Sequence, residues 1–433
     1  MQPLSQVLPP SATTTPEGHL SIGGCDVVAL AAEFGTPLVI YDAALLRDTM
    51  RRYVQALRAH DPRAEIVYAS KAFWAQALLR MAHEEDLRMD VASGGELFMA
   101  LHAGFPAEKV VMHGNAKDAR EIGEALDAMV GLIVVDSLDE IALLDQLAGE
   151  RGRTQDVLVR VTPGVKPSTH AYISTGQLDS KFGFSLEGGL AAQAVAACRA
   201  AANVNLVGLH CHIGSQIFEL GAYPAAAALL AAFVKEQGGD DLTVMDMGGG
   251  LGIAYTRDDD PPSVEEFADT VMDAVHAEWD AAGLPRPRVL VEPGRSIVGR
   301  AGLTVYRVTG TKDIPGVRRY VAVDGGMSDL MRPMLYGATY EAILPDRPEA
   351  EATDTLRLVG KHCESGDVLI QEVELPPLAR DDLVCIPATG AYGVAMASNY
   401  NGVTRPAVVF VEDGRATVVV RRETYAELVA RDL

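Results

Sequence analysis

Ile66-Val-Tyr-Ala-Ser-Lys71 reads as a short apolar strand that ends on a single cation, and the helical pattern Trp74–His83 follows it directly. The same alternation recurs outward in both directions. Candidate strands are Leu38–Tyr41, Ile66–Ser70, Val110–His113, Leu132–Val135, Val157–Val161, Leu206–His210, Thr243–Met247 and Val289–Glu292. Among them lie Ala- and Leu-rich amphipathic segments such as Leu45–His60, Gly94–Ala103, Leu138–Leu147 and Val264–Ala282. Strands with near-continuous apolar faces, alternating with helices, predict a parallel sheet buried on both faces. About eight such units predict an α/β fold built on a (β/α)8 barrel of the TIM type. An open doubly wound sheet fits the same alternation.

From about residue 300 the pattern changes. Leu303–Thr311, Arg319–Asp324, Leu383–Pro387, Ala407–Val411 and Ala416–Arg421 read as strands with few helical stretches between them, which predicts a C-terminal β-rich domain, a β-barrel or sandwich. The expected division is an N-terminal segment over 1–37 that joins the β domain, a (β/α)8 barrel over 38–300, and the β domain over 301–433. A chain of 433 residues is long enough for two cores.

The formal net charge of −22 repels nucleic acid and anionic membrane surfaces, so neither is expected as a partner. The five cysteines are widely spaced and form no CxxC pair, which argues against a disulfide framework or zinc site and for a reduced, cytoplasmic setting. Met1–Gly24 is rich in Pro, Ser and Thr and lacks the basic start and apolar run of a secretory signal. No apolar stretch reaches membrane-spanning length.

In a barrel of this kind the chemistry collects at the C-terminal ends of the strands. Lys71 sits at such an end, where desolvation would lower its pKa and free the amine for a Schiff base. A solvated lysine is the commoner reading of one such position. In His210-Cys-His-Ile-Gly-Ser215, His210 and His212 share one side of the continued strand. A metal would need further ligands that the neighbouring sequence does not supply, so no metal is expected; the alternatives are a histidine packed on a flat ligand and a satisfied core histidine. Asp246-Met-Gly-Gly-Gly-Leu-Gly252 is a glycine-rich turn whose N–H groups can face an anion. It matches neither the dinucleotide-binding nor the Walker pattern. In Glu292-Pro-Gly-Arg295 the two charges either pair with each other or bind a protonated ring nitrogen and an anion separately. Cys363 stands beside acidic residues in Cys363-Glu-Ser-Gly-Asp367, a setting that suits a proton donor better than a nucleophile, or else it is a small buried thiol.

Together these stretches resemble the fold-type-III pyridoxal-phosphate (PLP) decarboxylases, which pair an alanine-racemase-like barrel with a β domain, and within them the diaminopimelate decarboxylase family. Also similar to that family are Tyr68-Ala-Ser-Lys-Ala72, Asp90-Val-Ala-Ser-Gly-Gly-Glu96, His113-Gly-Asn-Ala-Lys117, Asp179-Ser-Lys-Phe-Gly183, Asp324-Gly-Gly-Met327, Arg332-Pro with Leu335-Tyr336, and Gly390-Ala-Tyr-Gly393. They span nearly the whole chain in the family's order.

The resemblance implies PLP bound covalently by Lys71. It implies a phosphate surrounded by Ser215, Gly248, Gly249, Gly250, Gly294 and Arg295, with Tyr392 reaching both phosphate and substrate. Glu292 would hold the pyridine nitrogen protonated, His212 would stack on the ring and Arg160 would lie near the ring hydroxyl. Arg295, Arg332 and Tyr336 would hold the distal carboxylate of meso-diaminopimelate, and Glu364 its distal amine. An aspartate at position 364 would instead be expected of ornithine decarboxylases. Cys363 would return the proton after carbon dioxide leaves, giving L-lysine. The family also implies a homodimer in which the β domain of one subunit completes the site of the other. Two rivals stand beside this reading: a decarboxylase for ornithine, lysine or arginine, or a racemase, on the same barrel; and a catalytically dead, partner-binding homologue.

Overall fold

The computed structural model describes residues 4–165 and 180–433. The chain divides into two compact units. One is formed by Thr49–Gly252 and Pro261–Gly294; the other by the chain up to Asp48 with Ile253–Asp260 and Arg295–Leu433.

The first unit holds a closed parallel barrel. Its strands are Glu65–Ala69, Arg88–Val91, Val110–Met112, Leu132–Val135, Gln155–Thr162, Val204–His210, Val244–Asp246 and Arg288–Val291. Each pairs in parallel with the next, and the ring closes where Leu290 and Val291 pair with Glu65 and Ile66. Val67, Val111, Leu132, Val134, Leu158, Val244 and Leu290 form one buried cluster. These apolar side chains, drawn from strands all round the ring, fill it as packed core rather than pore. Helices between the strands start on side-chain caps that the sequence supplies. Ser93 accepts from Glu96 N–H, Ser137 from Glu140 N–H, and Asp118 and Ser263 form reciprocal capping boxes with Glu121 and Glu266. The expected helix Val264–Ala282 is found with those ends.

The ring departs from expectation at two strands. Arg88-Met-Asp-Val91 is a barrel strand although two of its four residues are charged, which hides it from an apolar-run criterion. Those charges are spoken for: Arg88 pairs with Glu65 at 2.9 Å and Asp90 faces Lys71. Conversely, Leu38–Tyr41, expected as the first barrel strand, lies in the second unit as part of strand Leu38–Asp42. It pairs antiparallel with Gly302–Ile314 and parallel with Ala407–Glu412. All five residues are buried because it is an interior strand of that sheet, and an interior strand of either sheet is equally apolar.

The second unit carries an eight-stranded, mostly antiparallel sheet in the order Val368–Leu375, Asp354–Val359, Arg318–Val323, Gly302–Ile314, Leu38–Asp42, Ala407–Glu412, Arg415–Val420, with Leu383–Pro387 also paired to Gly302–Ile314. Its core joins N-terminal Leu20, Ile22 and Val27 to Leu38, Ile40, Leu303, Val305, Val384, Ile386 and Val409. The barrel limits expected at 38–300 therefore shift. Leu38–Asp42 and Ile253–Asp260 belong to the β-rich unit, as does the short helix Arg295–Val298. Among the described residues, no helix is long and apolar enough to cross a membrane.

Candidate active site

In the barrel unit the polar residues gather at the C-terminal strand ends. Lys71 follows strand Glu65–Ala69 in a single 3-10 turn. Its Nζ lies 3.2 Å from Oδ2 of Asp90, and its side chain is 49% exposed. The amine is thus ion-paired rather than desolvated, contrary to the expectation from strand position. Gly294 packs on this turn so closely that a Cβ there would meet Ala69 Cβ at 3.0 Å and Ala72 Cβ at 3.2 Å.

The strand end that carries Glu292 is crowded. His210 Nε2 is 3.1 Å from Glu292 Oε2, and His113 Nε2 is 2.7 Å from Oε1 in a contact bent away from a straight hydrogen bond. All three residues are buried. Burial works against the Glu292 charge, but the two imidazoles outweigh it and hold the carboxyl well below the usual carboxylate range. Burial also pushes His210 down to about 4, against the pull of Glu292, so His210 acts on Glu292 chiefly as a neutral hydrogen-bond donor. Burial first, then the Glu292 charge, push the neighbouring Asp246 well above its ordinary value. His113 was not among the expected site residues. Its signal was available: it directly follows strand Val110–Met112, at the same barrel end as the others.

His113, His210 and Glu292 place ligand atoms within 4.8 Å of one another, so the fold supplies the metal-ligand types that the sequence around His210 lacks. The spacing does not suit an ion. Two ligands on one tetrahedral zinc, each about 2.0–2.1 Å from it, stand about 3.3 Å apart. The 2.7 Å contact between His113 and Glu292 is a direct one.

His212 accepts a hydrogen bond from Gly249 N–H at its Nδ1, 3.2 Å away. Burial, then the charges of Lys71 and Arg160, hold its imidazole well below the usual histidine range, so it is a neutral flat ring. The glycine turn is tighter than expected. Gly248 has φ +67, and its N–H donates to Asp246 Oδ1 at 2.9 Å. A Cβ on Gly249 would fall 2.1 Å from Glu292 O. Of the three N–H groups expected to face a phosphate, those of Gly248 and Gly249 are taken, and Gly250 N–H has no partner among the described residues. Arg160 lies 3.8 Å from Asp136 and stacks 4.4 Å from the Phe182 ring centre. Ser215 is partly buried beyond the strand that bears His210. Asp179 of the Asp179–Gly183 motif lies outside the described residues.

The β-rich unit carries two buried arginines in an aromatic cluster. Arg295 bonds to the Tyr255 hydroxyl and lies 4.9 Å from the Tyr392 ring centre. Arg332 bonds to the Tyr340 hydroxyl and stacks 4.2 Å from the Tyr255 ring centre. Among the described residues no carboxylate pairs with Arg332, although the side chain is buried. Tyr336, expected to join Arg332 in holding the distal carboxylate of the substrate, makes no hydrogen bond to Arg332 among the described residues; Arg332 is met by Tyr255 and Tyr340. Tyr336 ends the short helix Arg332–Tyr336, and the chain then turns at Gly337, φ +62, which brings Tyr340 back against Arg332. Tyr392 has φ +61, a strained conformation for a bulky residue, held by a loop in which Tyr41 Oη donates to Gly390 O at 2.6 Å.

Cys363 is exposed and Glu364 lies beside it. Their loop is fixed by Asp367, whose carboxylate accepts from Met327 N–H at 2.7 Å and His362 N–H at 2.8 Å. Asn401 Oδ1 accepts from Cys363 N–H at 2.9 Å.

The donor set of the barrel unit suits PLP. An amine, a buried anion for the ring nitrogen, a neutral flat ring and an open backbone N–H stand at one barrel end, each matching one part of that cofactor. The comparisons agree. A family model for the pyridoxal-binding domain of pyridoxal-dependent decarboxylases matches residues 44–299. Diaminopimelate decarboxylase of Bacillus subtilis is 48% identical over 420 residues, covering 96% of this chain and 95% of the relative. That of Mycobacterium tuberculosis is 44% identical over 439 residues, covering 99% and 98%. The crystal structure of diaminopimelate decarboxylase from M. jannaschii in complex with L-lysine superposes with TM-score 0.91 at 34% identity, covering 98% of both chains. The chain belongs to the diaminopimelate decarboxylase family of pyridoxal-dependent decarboxylases.

Proposed function

We propose that this protein decarboxylates meso-diaminopimelate to L-lysine and carbon dioxide with PLP as cofactor, the last step of lysine synthesis. The observation that carries the choice of substrate is Arg332, a buried guanidinium partnered by tyrosines and by no acid among the described residues. A buried cation of that kind calls for an anion on the ligand. Diaminopimelate has a distal carboxylate, whereas ornithine and lysine have none.

When bound, the cofactor supplies an electron-withdrawing ring that accepts the electron pair left by the departing carboxylate. The chain's own residues do the rest. Lys71 would hold the cofactor through its amine. Glu292 would keep the ring nitrogen protonated, His212 would offer its neutral ring as a flat packing surface for the cofactor, and Arg160 would serve the ring hydroxyl. Ser215, the 248–250 turn, Gly294, Arg295 and Tyr392 serve the phosphate, with Gly250 the available backbone donor. Arg332 and Arg295 hold the distal carboxylate, Tyr336 borders the substrate and Glu364 takes the distal amine. Cys363 delivers the proton to the substrate carbon. The working enzyme is a cytoplasmic homodimer in which Cys363 and Glu364 serve the partner's site. Visible absorbance of the purified protein, then an assay for lysine and carbon dioxide from meso-diaminopimelate, tests the reading. A protein that binds PLP yet decarboxylates ornithine or lysine better would overturn the choice of substrate.

A further inference from the structure

His113 belongs to a motif, His113-Gly-Asn-Ala-Lys117, that the roles above leave unused. The turn is built with care. Lys117 is buried, and its ammonium donates to Gly114 O at 2.6 Å and Val134 O at 2.8 Å and pairs with Glu140 at 2.8 Å. A buried lysine spent on two carbonyls and one acid pins the chain directly after His113. The pinned imidazole meets Glu292 Oε1 at 2.7 Å, and its ring meets that of His210 edge-on with centres 4.9 Å apart. His210 takes the other carboxylate oxygen. Both oxygens of Glu292 are therefore braced, each by a histidine from a different strand at the same barrel end.

We propose that His113 is a positioning residue: with His210 it fixes the orientation and the negative charge of Glu292, so that Glu292 can keep the cofactor's ring nitrogen protonated. This role rests on the PLP reading above. The groups that bear on Glu292 are His113, His210, Asp246, Cys211 and His212. Asp246 is the one that would compete for the negative charge. With two carboxyls buried side by side, only one is comfortably ionised, and the two imidazoles stand against Glu292.

The test compares His113→Phe, which keeps a flat ring and removes the donor, with His113→Gln, whose amide can still donate to Oε1. At saturating PLP, kcat of His113→Phe falls about 10- to 100-fold, the loss expected when a buried charged group loses a donor. KM changes by less than about twofold, because the lost contact is on the cofactor side and not the substrate side. The absorption spectrum of the bound cofactor changes its pH profile, and His113→Gln recovers most of the rate. A His113→Phe enzyme with the wild-type rate and spectral pH profile overturns the proposal. If that variant fails to fold or to hold PLP, imidazole nitrogen NMR on the protein as purified decides. The His113 signals should move on Glu292→Gln, and unmoved signals overturn the pairing. A wild-type protein that takes up no PLP overturns the function itself and the role with it. The NMR signals, which need no cofactor, separate that failure from a failure of the pairing.

Discussion

Lys71 Nζ lies 3.2 Å from Oδ2 of Asp90, so the amine at the end of one barrel strand is ion-paired to a carboxylate of the strand beside it. Asp90 is almost fully buried while Lys71 is half exposed, which leaves the amine reachable from solvent and held in one direction. The purified protein should be yellow, and borohydride should fix the cofactor to the peptide that contains Lys71. Label recovered on another lysine would rule out this assignment.

Arg332 presents a flat, two-pronged donor stacked on Tyr255. Arg332→Lys keeps the charge and loses both the fork and the stacking. We expect kcat/KM for meso-diaminopimelate to fall about 10- to 100-fold, as for a charge-assisted hydrogen bond worth about 1.5–3 kcal/mol. Turnover of L-lysine, which has no distal carboxylate, should fall less. Equal losses on the two substrates would show that Arg332 does not clamp that group.

The proposed dimer has a sharper consequence. A two-fold contact gives each dimer two composite sites. Lys71→Ala and Cys363→Ala homodimers should each be nearly inactive. After dissociation and random reassociation about half of the dimers are mixed, each with one intact site, so activity returns to about a quarter of wild type. No recovery, with subunit exchange verified, would place both residues in the site of a single subunit.

Asp329 offers a test of stability against pH. It is fully enclosed, accepts from Tyr306 Oη at 2.5 Å, and burial pushes its carboxyl up to about 7 against the pull of its hydrogen bonds. A carboxyl raised on folding contributes stability that is complete below its unfolded pKa of about 4 and is lost as pH rises through the folded value. From mildly acidic to mildly alkaline pH the wild type should lose a contribution of roughly a few kcal/mol that Asp329→Asn lacks, since each tenfold change in proton affinity is worth about 1.4 kcal/mol. Urea melts of both proteins across that range measure the difference. Parallel curves would show that Asp329 ionises freely.

Much of the fold was legible because strand and helix periods are local. Leu132–Val135 carries its own apolar run and Val264–Ala282 its own helical period and cap, and both form where expected. Counting apolar runs reaches the right number of barrel strands through two errors that cancel: it includes Leu38–Tyr41 and overlooks Arg88–Val91. In the site, Lys71, His212 and Glu292 could be picked out because polar residues at barrel strand ends are unusual. Tyr255 and Tyr340 could not, since nothing in their local sequence marks them as partners of Arg295 and Arg332.

The sequence by itself determined the alternation of strands and helices, the change to β structure near residue 300, and the kinds of chemical group available. These follow from side-chain period, capping and composition, which act over a few residues. Only the tertiary structure decided that Leu38–Asp42 enters the second sheet, because its apolar run suits any interior strand and pairing partners lie hundreds of residues away. Only it decided that His113 and His210 converge on Glu292. That meeting requires three distant strands to stand at one end of a closed ring, and ring closure is set by packing of the barrel core rather than by any local stretch.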